Sequence, residues 1–188
     1  MESLDVLGKR AKAASRQMAK FKITKKNEVL EMVADELIKK ADEIKKANKA
    51  DVDEAVKNGM KPALIDRLTL TDARIEGMAE GLRQLVALED PVGEITSMKQ
   101  RPNGLMIGYK KVPLGVIAII YESRPNVTVD AFGLTFKSGN AVILNCSSVK
   151  SLVCKLSLNT VKSDLIHLVK CNAHTVKLIL GKSTILKE

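Results

Sequence analysis

Leu4, Leu7, Ala11, Ala14 and Met18 recur every three or four residues, with acids and lysines between them, so the spacing predicts an amphipathic helix with one apolar stripe. Leu30, Val33, Ala34, Leu37, Ala41 and Ile44 predict a second in the same way. A third follows Thr71, a suitable N-cap, where Ile75, Met78, Ala79, Leu82, Leu85 and Val86 form the stripe until "EDPVGE" ends it. The period then changes. Asn103-Gly104 separates two extended runs between about residues 97 and 113, a strong hairpin signal, and Pro102 with nearby lysines marks a protected edge that protrudes as a ribbon.

From Gly115 the chain reads "GVIAIIY", an unbroken apolar run rich in β-branched residues, as expected for a strand covered on both faces in a parallel sheet. "ESRPN" is a turn. Asn126 is placed to cap a helix from about Val127 to Lys137, and Gly139-Asn140 to end it in the left-handed conformation. "AVIL" at Ala141–Leu144 is a second buried strand, completing a βαβ unit and an α/β fold class. Ligands of open α/β sheets bind beyond the carboxyl ends of the strands, so "YESRPN" and the segment after Leu144 are the places to seek function.

A chain of 188 residues is long enough for one core, and 28% charged residues is ordinary for a globular protein. The first residues carry acids and no apolar leader, and "GVIAII" is too short to span a bilayer, so no membrane association is expected and cytoplasm is the expected location.

The net charge of +9 changes the picture only through its distribution. Residues 1–144 hold 24 basic and 20 acidic residues, whereas 145–188 hold seven Lys against Asp164 and Glu188, giving +4 and +5. All Pro, Met, Arg and aromatic residues precede position 145, while Cys146, Cys154, Cys171, His167 and His174 all follow it. Such a step is foreign to a single domain. A basic, aromatic-free tail suits a solvated charge run better than nucleic-acid readout, which needs stacking side chains and arginines.

"VPLGVIAIIYESRPNVTVDAFGLTFKSGNAVIL", Val112–Leu144, closely resembles the γ-glutamyl phosphate reductases (glutamate-5-semialdehyde dehydrogenases), the proline-biosynthesis branch of the aldehyde dehydrogenase superfamily. "YESRPNVT" is specific to that branch, and Asp66–Glu94 resembles the family's preceding helix; the motif resemblance covers residues 1–144. It implies NADPH-dependent reduction of L-glutamyl 5-phosphate to the semialdehyde, through attack of a Cys thiolate and hydride transfer to the thioester. The implied fold is a Rossmann-type cofactor domain with N-terminal helices, a catalytic domain and an oligomerisation ribbon. Asn103-Gly104 lies where the first part of that ribbon falls, so a family-type homo-oligomer through the hairpin is expected.

By position, the resemblance lays Ile120, Tyr121 and Glu122 against the cofactor. Ser123 falls where many aldehyde dehydrogenases have an Asn that donates to the developing oxyanion, with Asn126 the nearby alternative. Arg124 is a candidate partner for the acyl phosphate, and a surface ion pair is its other expected fate.

After Leu144 the pattern departs. The family continues with an Arg and a Gly-Gly-Ser turn; here Asn145 follows, and no glycine appears until Gly181. The segment that carries the family's nucleophilic Cys has no counterpart, so no catalytic residue is assigned and the chain alone is expected to be inactive, with an incomplete cofactor domain. A shifted reading frame or an internal deletion accounts for the simultaneous loss of Pro, Met and Arg beyond residue 144. The spacings C-x7-C and H-x3-C-x2-H match no standard zinc pattern, so no metal is assigned. "LGKST" lacks the P-loop's first Gly, since Val176 holds that position. The alternative from another class is a non-catalytic module that binds a protein or a polyanion.

Overall fold

The computed structural model describes residues 4–121 and 124–146. Helix α1 (Leu4–Met18) opens it, followed by α2 (Ile23–Lys39), α3 (Ala41–Lys57), α4 (Pro62–Leu68) and α5 (Asp72–Ala87). Strands β1 (Ile95–Gln100) and β2 (Met106–Lys110) form an antiparallel ribbon; β3 (Val116–Tyr121), α6 (Pro125–Lys137) and β4 (Ala141–Cys146) form a parallel βαβ unit.

The stripes read from the sequence are the core. Ala14 and Met18 of α1, Leu30, Val33, Ala34 and Leu37 of α2, and Ile75, Met78, Ala79 and Leu82 of α5 are buried together against Phe132 and Phe136 of α6. The two α6 rings stack 5.3 Å apart, and Phe21 meets Phe136 edge-on at 6.3 Å. Gly133 makes the α5–α6 contact possible: a Cβ there would lie 2.7 Å from side-chain atoms of both Leu82 and Leu85.

One stripe crosses a corner. The 30–44 pattern is divided between two helices, because α2 ends at Lys39 and α3 begins at Ala41. Lys40 (φ −101°, ψ 14°) makes the turn while its N–H still reaches the Glu36 carbonyl, so the apolar spacing continues through the corner with no Pro or Gly to mark it. The short α4 also goes unmarked by periodicity. Pro62 starts it, and buried Asn48 of α3 fastens its exit by donating to the Leu68 carbonyl (2.9 Å) and accepting from Leu70 N–H (2.7 Å).

The ribbon spans residues 95–110, with Pro102 and Asn103 at the centre of its turn. Gly104 N–H donates to the Arg101 carbonyl, Arg101 N–H to the Leu105 carbonyl, and Gly104 has φ 84°. This is a type I turn followed by a left-handed glycine, and Pro102 presets its first central position. A bulge interrupts the pairing between Thr96 and Lys99, where Ser97 has φ 56°.

In the βαβ unit the register runs from Val116↔Ala141 to Tyr121↔Cys146. Gly139 (φ 75°) ends α6 as expected, and the Asn140 side chain accepts from Gly115 N–H at 2.8 Å, tying the starts of the two strands together. Leu7 and Ala11 of α1 cover Val116 and Ile143 on one face; Ala131 of α6 covers Val142, Leu144, Ile119 and Tyr121 on the other. The expectation that β3 is covered on both faces is corrected at its far end. Ala118 and Ile120 project on the α1 side, which α1 crosses only near the start of the strand, and Ile120 is 73% exposed.

A buried polar cluster pins the end of α5. Lys26 is 2% exposed and ion-paired with Asp90 at 2.9 Å, and Asp90 also accepts from Val92 N–H. Lys137 is buried beside it and donates to Asn27 Oδ1 (2.8 Å) and the Val86 carbonyl (3.3 Å). Burial holds its pKa below the usual lysine value; the charge of Asp90 opposes that and the charge of Lys26 adds to it.

Candidate functional site

A cleft lies at the amino end of α6. Tyr121 ends the strand, Arg124 occupies the N-cap of α6 and Pro125 starts the helix. Proline suits that first position because its missing N–H needs no partner and its φ is preset. The helix therefore begins before Asn126, which corrects the expected capping role: Asn126 makes no cap hydrogen bond and its amide instead approaches Asp130 Oδ2 at 3.5 Å.

Arg124 and Asn126 line a cleft of about 410 Å³, and Asp130, one turn further along α6, lines it with them. The facing wall comes from elements that the sequence reading did not connect with "YESRPN": Arg67 in the last turn of α4 and Arg74 in the first turns of α5, over Leu70 and Met78. Three guanidinium groups, one amide and one carboxylate thus meet at the amino end of α6, where the helix dipole also favours an anion.

The arginines are not equivalent. The Arg74 guanidinium donates to the backbone carbonyls of Asp66 and Thr69, the latter at 2.6 Å, and to both Asp66 carboxylate oxygens at 3.2 Å. It is spent on holding the α4–α5 turn. Arg67 and Arg124 are exposed, and among the described residues neither has an ion-pair partner. Desolvation raises the Asp130 pKa above the usual carboxylate value, opposed by the Asn126 amide.

The other sequence candidates divide. Ile120 is exposed at the strand end, whereas Tyr121 is half-buried and its hydroxyl lies 2.5 Å from Thr128 Oγ1 of α6, a bond that fixes the helix on the strand. Glu122 and Ser123 lie outside the described residues, as do Cys154, His167, Cys171 and His174. The structure brings Arg124 and Asn126 together with Arg67 and Arg74. Only "DRLTLTDAR" within the family-like stretch 66–94 carried a signal for the last two, because nothing in spacing alone places α4 opposite α6.

The parallel βαβ unit with helices packed on it, the protruding ribbon and the basic cleft belong to a member of the aldehyde dehydrogenase family, which matches residues 2–185. That match continues past Leu144, where the motif resemblance ends. The chain is 58% identical over 179 residues to the gamma-glutamyl phosphate reductase of Lachnospira eligens, covering 90% of this chain and 43% of the relative. The Clostridium beijerinckii protein of the same name is 54% identical over 148 residues, 79% of this chain and 36% of its own. Among solved structures, the gamma-glutamyl phosphate reductase of Thermotoga maritima superposes with a TM-score of 0.77 at 32% identity, over 95% of this chain and 38% of that one. The Saccharomyces cerevisiae enzyme of that name gives 0.75 at 32% identity, over 79% and 38%. The chain therefore spans well under half the length of the relatives it matches.

Proposed function

We propose that this chain is the amino-terminal, ligand-facing part of a γ-glutamyl phosphate reductase. The complete reaction is NADPH-dependent reduction of L-glutamyl 5-phosphate to L-glutamate 5-semialdehyde in proline biosynthesis, with release of phosphate. The observation that carries this is the Arg67–Arg124 cleft at the end of β3, in a chain whose relatives bear that enzyme's name. An acyl phosphate is a multiply charged anion, and two arginines that form no ion pair among the described residues, at a helix amino end, suit it.

Residues 1–144 are taken as the family-specific unit, with 145–188 set apart from it. The 148-residue alignment to the Clostridium protein and the compositional step at 145 favour that division, whereas the family match to residue 185 and the 179-residue Lachnospira alignment run across it. Within the unit, Ser123 and Asn126 are the proposed oxyanion donors, and Ile120, Tyr121 and Glu122 the proposed cofactor contacts. The exposed Ile120 at two paired strand ends fits a dinucleotide edge. The sequence from Asn145 to Leu180 supplies no glycine-rich turn for its phosphates, so no step is assigned to the cofactor. NADPH in particular, and the cytoplasm as location, belong to the same proposal; among the described residues no helix is long and apolar enough to cross a membrane.

The chain by itself is proposed to be inactive, because none of Cys146, Cys154 and Cys171 has sequence surroundings that match the family's nucleophile. A non-catalytic protein- or polyanion-binding module finds no support in the relatives. The test is phosphate-dependent reduction of NADP by the purified chain with glutamate 5-semialdehyde, followed by absorbance. No turnover is expected, with a full-length relative as the positive control; robust turnover would place a nucleophile in this chain and overturn the reading.

A further inference from the structure

The cleft carries more chemistry than an anion site requires. An anion needs the guanidinium groups alone, and a carboxylate beside them weakens their field. Asp130 nevertheless lines the same cavity as Arg67 and Arg124, and no described cation forms an ion pair with it. Its one described polar contact is the 3.5 Å approach of the Asn126 amide, which is long for a hydrogen bond. A cleft that presents two open guanidinium groups and one open carboxylate is complementary to a ligand with two anionic groups and one cationic group.

We propose that this cleft binds the amino-acid end of the substrate as a zwitterion: Arg67 takes the α-carboxylate, Asp130 takes the α-ammonium, and Arg124 with the amino end of α6 takes the acyl phosphate. The assignment rests on the reductase reading above and deepens it by naming the residues that select an amino acid over a plain diacid. Charge and placement set the order. Arg124 caps α6 immediately after β3, so it lies nearest the strand end at which family chemistry is expected, whereas Arg67 belongs to α4 on the facing wall. Arg74 acts as a positioning residue: its bonds to Asp66 and the Thr69 carbonyl fix the end of α4, whose last turn carries Arg67. The cleft volume of about 410 Å³ falls in the range of small-molecule sites.

Specificity follows from removing one charge at a time. A ligand lacking the ammonium leaves Asp130 facing Arg67 and Arg124 with nothing between, and a variant lacking Arg67 leaves the α-carboxylate without its bidentate partner.

The test is calorimetric titration of the full 188-residue chain with three probes: L-glutamate, glutarate, which has the two carboxylates and no ammonium, and inorganic phosphate. Wild type is expected to bind L-glutamate roughly tenfold more tightly than glutarate, the effect of one charge-assisted hydrogen bond. Asp130→Asn should abolish that preference and leave phosphate bound at least as tightly, since a neighbouring negative charge is removed. Arg67→Met should weaken both carboxylate ligands about tenfold, with Arg67→Lys intermediate because it keeps charge and loses the fork; Arg124→Gln should weaken phosphate most. All three positions are exposed and cleft-lining, and circular dichroism of each variant confirms that the fold is retained. Equal affinity for glutamate and glutarate in a folded wild type, or a preference that survives Asp130→Asn, overturns the assignment and leaves the reductase reading intact. Turnover by the isolated chain combined with the expected binding pattern leaves both the assignment and the reductase reading intact and overturns only the proposed inactivity of the chain.

Discussion

The helical core and the β1–β2 ribbon carry comparable apolar side chains and treat them in opposite ways. Leu30, Leu37, Ile44, Ile75 and Leu82 are at most 1% exposed, while Ile95, Met98, Met106, Ile107 and Tyr109 are 41–75% exposed. The difference is one of partners: the core stripes face one another across α2, α5 and α6, whereas the two ribbon strands face only each other. An isolated two-stranded hairpin is marginal in water, so the ribbon draws its conformation from local devices, namely the Pro102–Gly104 turn, the Ser97 bulge and Met98 lying over Gly108. Stability resides in the helices, and the ribbon leaves its apolar side chains on the surface of the single chain.

That contrast predicts where substitutions will be felt. Phe132→Ala, which removes a ring stacked on Phe136 at the centre of the core, should cost about 3–5 kcal/mol by chemical denaturation, enough to threaten folding outright. Asn48→Ala strands the Leu68 carbonyl and Leu70 N–H in the interior and should cost about 1–3 kcal/mol; a thermal shift close to zero would show that water replaces the amide there. The Thr71 cap of α5 is solvent-facing with a long 3.3 Å bond, so Thr71→Ala should fall near the low end of capping effects, about 0.5–1 kcal/mol.

Glu36 gives a smaller, pH-dependent effect. The hydrogen bond from Lys40 holds its pKa below the usual value of 4.5, helped by the charges of Lys40 and Lys39 and opposed by partial burial. A depressed carboxylate stabilises the fold above its unfolded pKa and loses that contribution as pH falls through the folded value. Glu36→Gln should therefore flatten the stability profile below about pH 4.5 and leave the region above it parallel to wild type. Smallest of all, Tyr109→Thr on the ribbon should change stability by no more than about 0.5 kcal/mol, because its ring is three-quarters exposed. A loss comparable to that of Phe132→Ala would mean the ribbon is covered in solution.

The sequence showed most of the scaffold, because periodicity reports burial and these stripes are buried. It failed where structure is set by something other than period. Lys40 turns the chain with the apolar spacing intact, α4 is too short to show a stripe, and the uncovered end of β3 reads the same as a covered one, since an apolar run does not say which neighbour supplies the cover. The site was half legible. "YESRPNVT" pointed to Arg124 and Asn126 through a family likeness, yet the start of α6 at Pro125 displaced Asn126 from its expected cap. Arg67 and Arg74 became site residues only once α4 and α5 were placed against α6, a long-range relation that no local pattern encodes.

The central claim is that a stable helical core holds a ligand cleft ready, without help from the ribbon. Amide hydrogen exchange on the full chain, with and without L-glutamate, measures both halves of it at once. The expected result is strong protection in α2, α5 and α6, little in β1 and β2, and added protection from glutamate confined to the ends of α4, α5 and α6 that frame the cleft. Protection of the ribbon equal to that of the helices, or glutamate-induced protection spread away from Arg67, Arg124 and Asp130, would contradict it.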